Sequence, residues 1–438
     1  MDVPAGFNLW YGLLGLLPLV VYVILIFTYK DPVPTTLIAV VLGAIITQQS
    51  VFSFGDVLVK STGSFLALVG LIIMMGRGLG EILTATRVSH TIVHKIVYGI
   101  GVNTEKKAMA GIMLASITIV ALLGTMAGGN AVIAPIVLPI AAAAGLTRST
   151  VGVLFHSSGE EGLILGPFTP PVVTLIGLTG VAYGEMLLKA ALPVTVVTLV
   201  TTWFMVNRIQ ISTKGLNDYE LELKDDLEVF RPAAKELRTT AIFIAAFIVM
   251  VGCGMFWEAK TTYIPVVMLG LSLITGLAGG LSLSRVIELF IKGMAGNMNL
   301  YFLFLLLEVF MNFMEQAGAF KAVAILMQPL VNVGGKVAVP IMGGITGAVG
   351  LTGATVAVMK MVNDMFLPLV RQYGIPTLTW VTALIVATRA TNFFHPGSNM
   401  FSSMGFAQSQ DMRSMIKNGW TVAFMQILFL IVFSFLFT

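Results

Sequence analysis

Apolar stretches of membrane-crossing length recur from one end of this 438-residue chain to the other. Crossing about 30 Å of hydrocarbon takes roughly 20 helical residues. Lipid gives unwound backbone no hydrogen-bond partner, so such stretches are expected to be helical. They fall near 8–28, 34–49, 64–97, 148–180 and 184–206 in the first half, the third being long enough to bend or split. The second half offers 240–257, 262–282, 298–331, 376–406 and 418–437. Charged residues make up 11% of the chain, against about a quarter in a soluble domain. The expected class is an all-α polytopic membrane protein.

Two of these stretches are broken in the same way. One carries Gly166-Pro167-Phe168-Thr169-Pro170-Pro171, the other His395-Pro396-Gly397-Ser398-Asn399. Proline inside a helix removes a donor and clashes with the preceding turn, so each segment unwinds there. At membrane depth, unwound backbone has to line a cavity or be buried in protein. Paired interrupted helices in matching positions point to the binding site of a secondary transporter.

The match has a register. An offset of 229 residues joins Pro167 to Pro396, and also Gly124 to Gly353, Pro139 to Pro368 and Gly145 to Gly374. Lys60 and Lys292, in amphipathic stretches Phe54–Gly63 and Leu283–Gly296, are 232 apart, which implies a small gap. We read an internal duplication: a first repeat over 1–206, a linker over 207–239 and a second repeat over 240–438. Two further apolar stretches, 107–146 and 338–373, are interrupted centrally by glycine, leaving limbs of about fifteen residues that are short for a crossing. Each reads as a re-entrant hairpin preceding a broken helix (148–180 and 376–406). A pair of ordinary spanning helices is the alternative. With five crossings per half, about ten in all plus two hairpins, the repeats are expected to be inverted.

Basic residues cluster consistently with that topology. Placing 207–239 in the cytoplasm puts Lys30, Lys95, Lys106, Lys107, Arg148, Arg413 and Lys417 on one side and Lys260 and Lys336 on the other. Both termini then face outward from a plasma or inner membrane. The linker also carries Glu220, Glu222, Asp225, Asp226 and Glu228, so it reads as solvated. No small-residue cleavage site follows the first apolar segment, and no removable signal peptide is expected. A net charge of +4 gives no reason to expect a nucleic-acid partner. The single cysteine, Cys253, excludes an intramolecular disulfide and a cysteine metal site. His90 and His94 have the i,i+4 spacing of a ligand pair without a carboxylate partner, so no metal and no cofactor is expected beyond Na⁺ or H⁺ as coupling ion.

Charges inside crossings mark the functional candidates, because each is costly there. The clearest cluster is His156-Ser157-Ser158-Gly159-Glu160-Glu161-Gly162, just before the first break. In the 229 register Glu160 falls on Arg389. Equivalent positions of an inverted repeat meet near the midplane, which predicts a Glu160–Arg389 pair, structural or functional. Guanidinium also matches carboxylates bidentately, so Arg389 is a candidate anion site. Glu160, Glu161, Asp364 and His395 are candidates for coupling protons or cations. Lys360 and Asp364 are spaced to pair with each other, and Arg77 with Glu81, and Glu308 with Glu315, read as helix–helix contacts. Hard cations want oxygen ligands. Asn130 with Thr169 would make one such site, and Thr352 or Thr355 with Ser398 and Asn399 its symmetry mate. Half-helix N-termini at Pro170-Pro171 and Ser398 would direct positive dipole ends at an anion. No nucleotide motif or nucleophile–base constellation is present, so no enzymatic activity is expected.

Hairpin and broken helix, twice over, resemble the ion transporter superfamily. That group includes divalent-anion/sodium symporters, citrate–metal and gluconate permeases, NhaC-type antiporters and the large membrane subunit of tripartite periplasmic transporters. The architecture covers almost the whole chain, and specific residues match around 124–184 and 343–405. Gly166–Pro171 followed by Thr179-Gly180-Val181 looks like the tripartite subunit. The hairpin tips, Gly129-Asn130-Ala131 and Thr352-Gly353-Ala354-Thr355, depart from the Ser-Asn-Thr-like motifs of those families. The resemblance implies a homodimer in the lipid membrane, with a static scaffold and a transport domain that moves as an elevator. The expected function is Na⁺- or H⁺-coupled carriage of a small organic anion, a carboxylate or amino acid. A Na⁺/H⁺ antiporter without organic substrate is the alternative. A further one is the membrane subunit of an importer that depends on a soluble binding protein.

Overall fold

A computed structural model describes residues 7–29, 31–100, 104–219, 230–259, 261–349 and 355–438. Among them there is no β-strand, and nine helical segments are long and apolar enough to cross a membrane. The chain is an all-α polytopic membrane protein.

In the first half α1 (Leu9–Leu14) and α2 (Leu17–Tyr29) lead to α3 (Pro32–Ile46) and the amphipathic α4 (Val51–Thr62). The long stretch at 64–97 is split. α5 (Phe65–Ala85) ends before Arg87, whose φ of 55° is incompatible with a helix, and α6 (Val88–Ile100) starts after it. α7 (Glu105–Leu123) and α8 (Met126–Ala143) then form the first hairpin. Gly124 turns it with a φ of 69°, a backbone state that glycine adopts without strain. Thr125 caps α8, its Oγ1 accepting from the Gly128 amide at 3.2 Å. At 19 and 18 residues both limbs exceed the expected fifteen and are long and apolar enough to cross. α9 (Arg148–Leu165) and α10 (Pro170–Thr179) flank the first break, and α11 (Tyr183–Met186) runs through a π turn at 187–191 into α12 (Leu192–Thr213).

The second half comprises α13 (Ala234–Phe256), α14 (Ile264–Ala278), the amphipathic α15 (Leu283–Ala295), α16 (Met298–Gln316) and α17 (Ala319–Gly334). The expected crossing at 298–331 is therefore two helices, parted at Gly318 (φ 78°). α18 (Ala338–Thr346) and α19 (Thr355–Gln372) are the limbs of the second hairpin, followed by α20 (Thr377–Phe394), the second break, α21 (Ser398–Phe406) and α22 (Met412–Phe437). The turn candidate Gly350-Leu351-Thr352-Gly353, with the candidate ligand Thr352, lies outside the described residues, as do Lys30 and Lys260.

Burial sorts these helices into centre and periphery. Every residue of α9 from Ser149 to Ile164 is buried, as is every residue of α20 from Thr379 to Phe393. By contrast only 17% of the apolar window of α13 is buried, with Ile244, Ile248 and Val249 exposed. A helix that is apolar all round is at home either in a core or against lipid. α13 is the second kind; α9 and α20 are buried even though they carry His156, Glu160, Glu161 and Arg389.

The amphipathic α15 packs across α5 at a glycine crossing. A Cβ on Gly78 would stand 2.8 Å from the Phe290 carbonyl oxygen, and one on Gly293 would stand 2.7 Å from the Arg77 carbonyl oxygen. Arg77 completes the contact by donating from Nη1 to Gly296 O at 2.7 Å and Asn297 Oδ1 at 3.0 Å. Backbone cannot yield as a side chain can, so Gly78→Val is expected to destabilise by about 1–3 kcal/mol. Thermal unfolding in detergent, with Gly99→Val as the open-space control, measures it.

The connection between halves is narrower and more structured than 207–239. α12 continues to Thr213, α13 begins at Ala234, and residues 220–229 lie outside the described set. The portion up to Tyr219 docks on the protein through Asn217 and Tyr219, while Lys214, Gly215, Leu216 and Asp218 stay exposed. Arg148 N donates to Asn217 O at 2.8 Å, Asn217 Nδ2 to Ser149 Oγ at 2.9 Å, and Tyr219 OH to Ala407 O at 2.9 Å. Lys214 Nζ sits 2.6 Å from Glu105 Oε1. These contacts gather the starts of α7 and α9 and the ends of α12 and α21 at one end of the bundle.

Candidate functional site

The two broken helices meet through their charges. Arg389 of α20 and Glu160 of α9, both fully buried, form an ion pair in which Arg389 Nη1 donates to Glu160 Oε2 and, at 2.6 Å, to the Glu160 carbonyl oxygen. Asn392 Nδ2 donates to Glu160 Oε2 at 2.9 Å and Asn399 Nδ2 to Oε1 at 2.7 Å. Both carboxylate oxygens thus accept from cationic or amide donors, the arrangement an ionised carboxylate requires. Asn399 belongs to the first turn of α21, so the anion at that helix N-terminus is the protein's own Glu160.

The network continues into both hairpins. Asn392 Nδ2 lies 3.3 Å from Thr355 Oγ1 at the start of α19. Ser403 Oγ donates to Asn399 O at 2.9 Å and accepts from Asn130 Nδ2 of α8 at 3.1 Å. One connected polar centre therefore runs Asn130–Ser403–Asn399–Glu160–Arg389/Asn392–Thr355, drawing on both hairpins and both broken helices. It is not saturated. Arg389 Nε and Nη2 and Asn130 Oδ1 are buried without a hydrogen-bond partner among the described residues.

The structure brings together Asn130, Glu160, Thr355, Arg389 and Asn399 and leaves the other sequence candidates elsewhere. Thr169 Oγ1 is turned back on its own break, donating toward the Leu163 and Gly166 carbonyl oxygens, while Tyr183 OH donates to Leu165 O at 2.7 Å. The carbonyls of Leu163, Leu165 and Gly166 are thereby satisfied locally, and the Asn130 side chain bonds to Ser403 and not to Thr169. His395 Nε2 is 2.7 Å from Ala348 O and ties the second break to the hairpin limb. Ser398 is exposed. Asp364 pairs with Lys360 at 2.8 Å on α19, away from Glu160, and also accepts from Asn363 Nδ2 at 3.2 Å. Glu161 faces α12, where its Oε2 accepts from Thr195 Oγ1 at 2.8 Å. Sequence reasoning missed Asn392 and Ser403. Helical spacing could have found them, since Asn392 is i+3 from Arg389 and Ser403 is i+4 from Asn399.

Two glycine contacts hold α20 in place around the centre. Gly347 lies directly on the backbone of Ala387, and Gly419 on the carbonyl oxygen of Phe393. Arg389 and Asn392 lie between those two points. A cavity of about 660 Å³ opens elsewhere, between the first break (Pro167, Phe168), Tyr183 and the α13–α14 end (Met255, Tyr263). Among the described residues no group of three or more metal-ligating side chains is found.

Spanning helices that break in pairs around a buried charged centre define a polytopic helical membrane fold. No family model and no curated protein matches the chain. Among solved structures, the YdaH transporter of Alcanivorax borkumensis, whose crystal structure is described as revealing an unusual topology, is similar over 88% of this chain and 89% of its own, with a TM-score of 0.56 and 18% identity. At that identity the likeness is one of fold.

Proposed function

We propose that the chain is a secondary active transporter of the ion transporter superfamily type, carrying a small organic anion with Na⁺ or H⁺ as coupling ion. The observation that carries the reading is Arg389: fully buried, with Nη1 committed to Glu160 and with Nε and Nη2 unpartnered among the described residues. A carboxylate presents two acceptors to such a fork. Glu160, Asn392 and Asn399 orient the guanidinium, and Asn130 Oδ1 and Thr355 Oγ1 offer oxygens to a cation or to the substrate's polar atoms. The fold shared with a transporter supports the reading. Movement of the two broken helices with their hairpins against the remaining helices, as inverted repeats in a homodimer, belongs to the same proposal; the exposed apolar face of α13 is open to lipid or to a second copy.

The test uses full-length protein in liposomes offered a panel of labelled mono- and dicarboxylates and acidic amino acids under a Na⁺ or pH gradient. Wild type is expected to accumulate one class. The doubly neutral Glu160→Gln/Arg389→Gln variant is expected to stay folded and lose that uptake by at least tenfold. Normal uptake by this variant overturns the assignment of Arg389. Proton efflux driven by a Na⁺ jump alone, with no carboxylate accumulated, establishes instead the antiporter reading, which the buried second acid Glu161 favours.

A further inference from the structure

Glu161 has no role in the centre built on Arg389. Consecutive helical residues point about 100° apart, so while Glu160 turns to α20 and α21, Glu161 turns to α12 and α22. It is fully buried. Its Oε2 accepts from Thr195 Oγ1 at 2.8 Å, and its Oε1 has no partner among the described residues. No Lys, Arg or His lies within salt-bridge distance of it in the described set, and Arg389 is committed to Glu160.

Its surroundings repeat the same imbalance. Ser157, one turn earlier on the same face of α9, accepts from Asn418 Nδ2 of α22 at 2.8 Å. Gln426, two turns further along α22, donates to Thr198 Oγ1 at 2.6 Å. Asn418 Oδ1 and Gln426 Oε1 are both buried and unpartnered, as is Glu161 Oε1. Three acceptors of this seam are thus left without a donor. Thr195, Thr198 and Thr202 continue it as a buried row of hydroxyls along α12, and hydroxyls both donate and accept. An isolated buried carboxylate is among the costliest groups a protein can hold, and one proton removes that cost and supplies a missing donor. The ionisable groups around the seam are few. Glu160 and His156 lie on α9 itself, and Arg389 comes from α20. The apolar stretches of α7 (Ala108–Leu123), α12 (Leu192–Val206) and α22 (Asn418–Phe437) contribute none. Lys189, on the π turn, is exposed and paired with Glu185.

We propose that Glu161 is a proton-binding site separate from the Glu160–Arg389 centre, taking its proton on Oε1 while Thr195 holds Oε2, and releasing it to water when the α9–α12–α22 seam opens. This deepens the transport reading and rests on it only for the use made of the proton: Glu161 would couple, and Glu160 would position Arg389.

Infrared difference spectra of the reconstituted full-length protein over a pH series read the proton directly, without a substrate. Wild type is expected to show the C=O stretch of a protonated, buried carboxyl. Glu161→Gln should remove that band and Glu160→Gln should leave it. Thr195→Val, which deletes only a hydroxyl, should move the band to higher frequency, as a carbonyl freed of a hydrogen bond does, and remains readable if Glu161→Gln fails to fold. A band untouched by Glu161→Gln or Thr195→Val, or no band in wild type at any pH, overturns the proposal. A Glu161 band in a protein that moves no solute leaves the proton site standing and defeats the transport reading alone.

Discussion

Glu160→Ala is expected to destabilise the protein by about 3–5 kcal/mol, the range for removing one partner of a buried ion pair. Both side chains are fully buried, and the carboxylate accepts from Arg389, Asn392 and Asn399 together. Its removal strands a guanidinium whose Nε and Nη2 already lack partners. Arg389→Ala should cost a similar amount by stranding the carboxylate. Gln at both positions leaves no buried charge and should recover part of the loss, because the penalty of a broken pair comes from the charge left uncompensated. Thermal unfolding of the two single variants and the double, treated as a double-mutant cycle, measures the coupling. Additive losses would show that the two residues do not act as a pair. The cycle also clears the ground for the uptake test, since a stable double variant that fails to transport has lost chemistry and not its fold.

Gly347→Ala should be the most damaging single-methyl change in the second half. A Cβ there would overlap the carbonyl oxygen, carbonyl carbon and α-carbon of Ala387, all backbone atoms of α20. The helix cannot swing away freely, because Gly419 seats α22 on the Phe393 carbonyl from another contact point. A loss at or beyond the upper end of about 1–3 kcal/mol is expected, with displacement of α20 carrying Arg389 away from Glu160. Gly252→Ala is the control. That position lies inside α13 with nothing within 4 Å of the added carbon, so replacing a helical glycine there should stabilise by about 0.5–1 kcal/mol. Parallel melts of the two variants decide the point; equal behaviour would mean that the α20 contact does not constrain the helix.

The punctuation of this fold was readable because proline and glycine act through the local backbone. Pro167 and Pro396 mark both breaks, Gly124 marks a turn, and the common offset of 229 sets Glu160 against Arg389 in the sequence itself. What the sequence could not show was where side chains turn once the backbone is set. Thr169 looked like a cation ligand beside Asn130, yet its hydroxyl is taken up by carbonyls that its own break had freed. Glu160 and Glu161 are neighbours in sequence with nothing to separate their roles; only the packing of α20 on one side and α12 on the other does so. The first part of the linker shows the same limit, while its acidic residues from Glu220 to Glu228 lie outside the described set. Asn217 and Tyr219, ahead of them, form long-range hydrogen bonds that no local pattern signals.

The central ion pair also decides what the two parts of the chain can and cannot join with. Glu160 and Arg389 are 229 residues apart, the offset that also separates Pro167 from Pro396. Were two copies of the α9 segment to meet as α9 meets α20, they would set carboxylate against carboxylate; two copies of α20 would oppose guanidinium to guanidinium. Neither segment can complete the centre with its own kind.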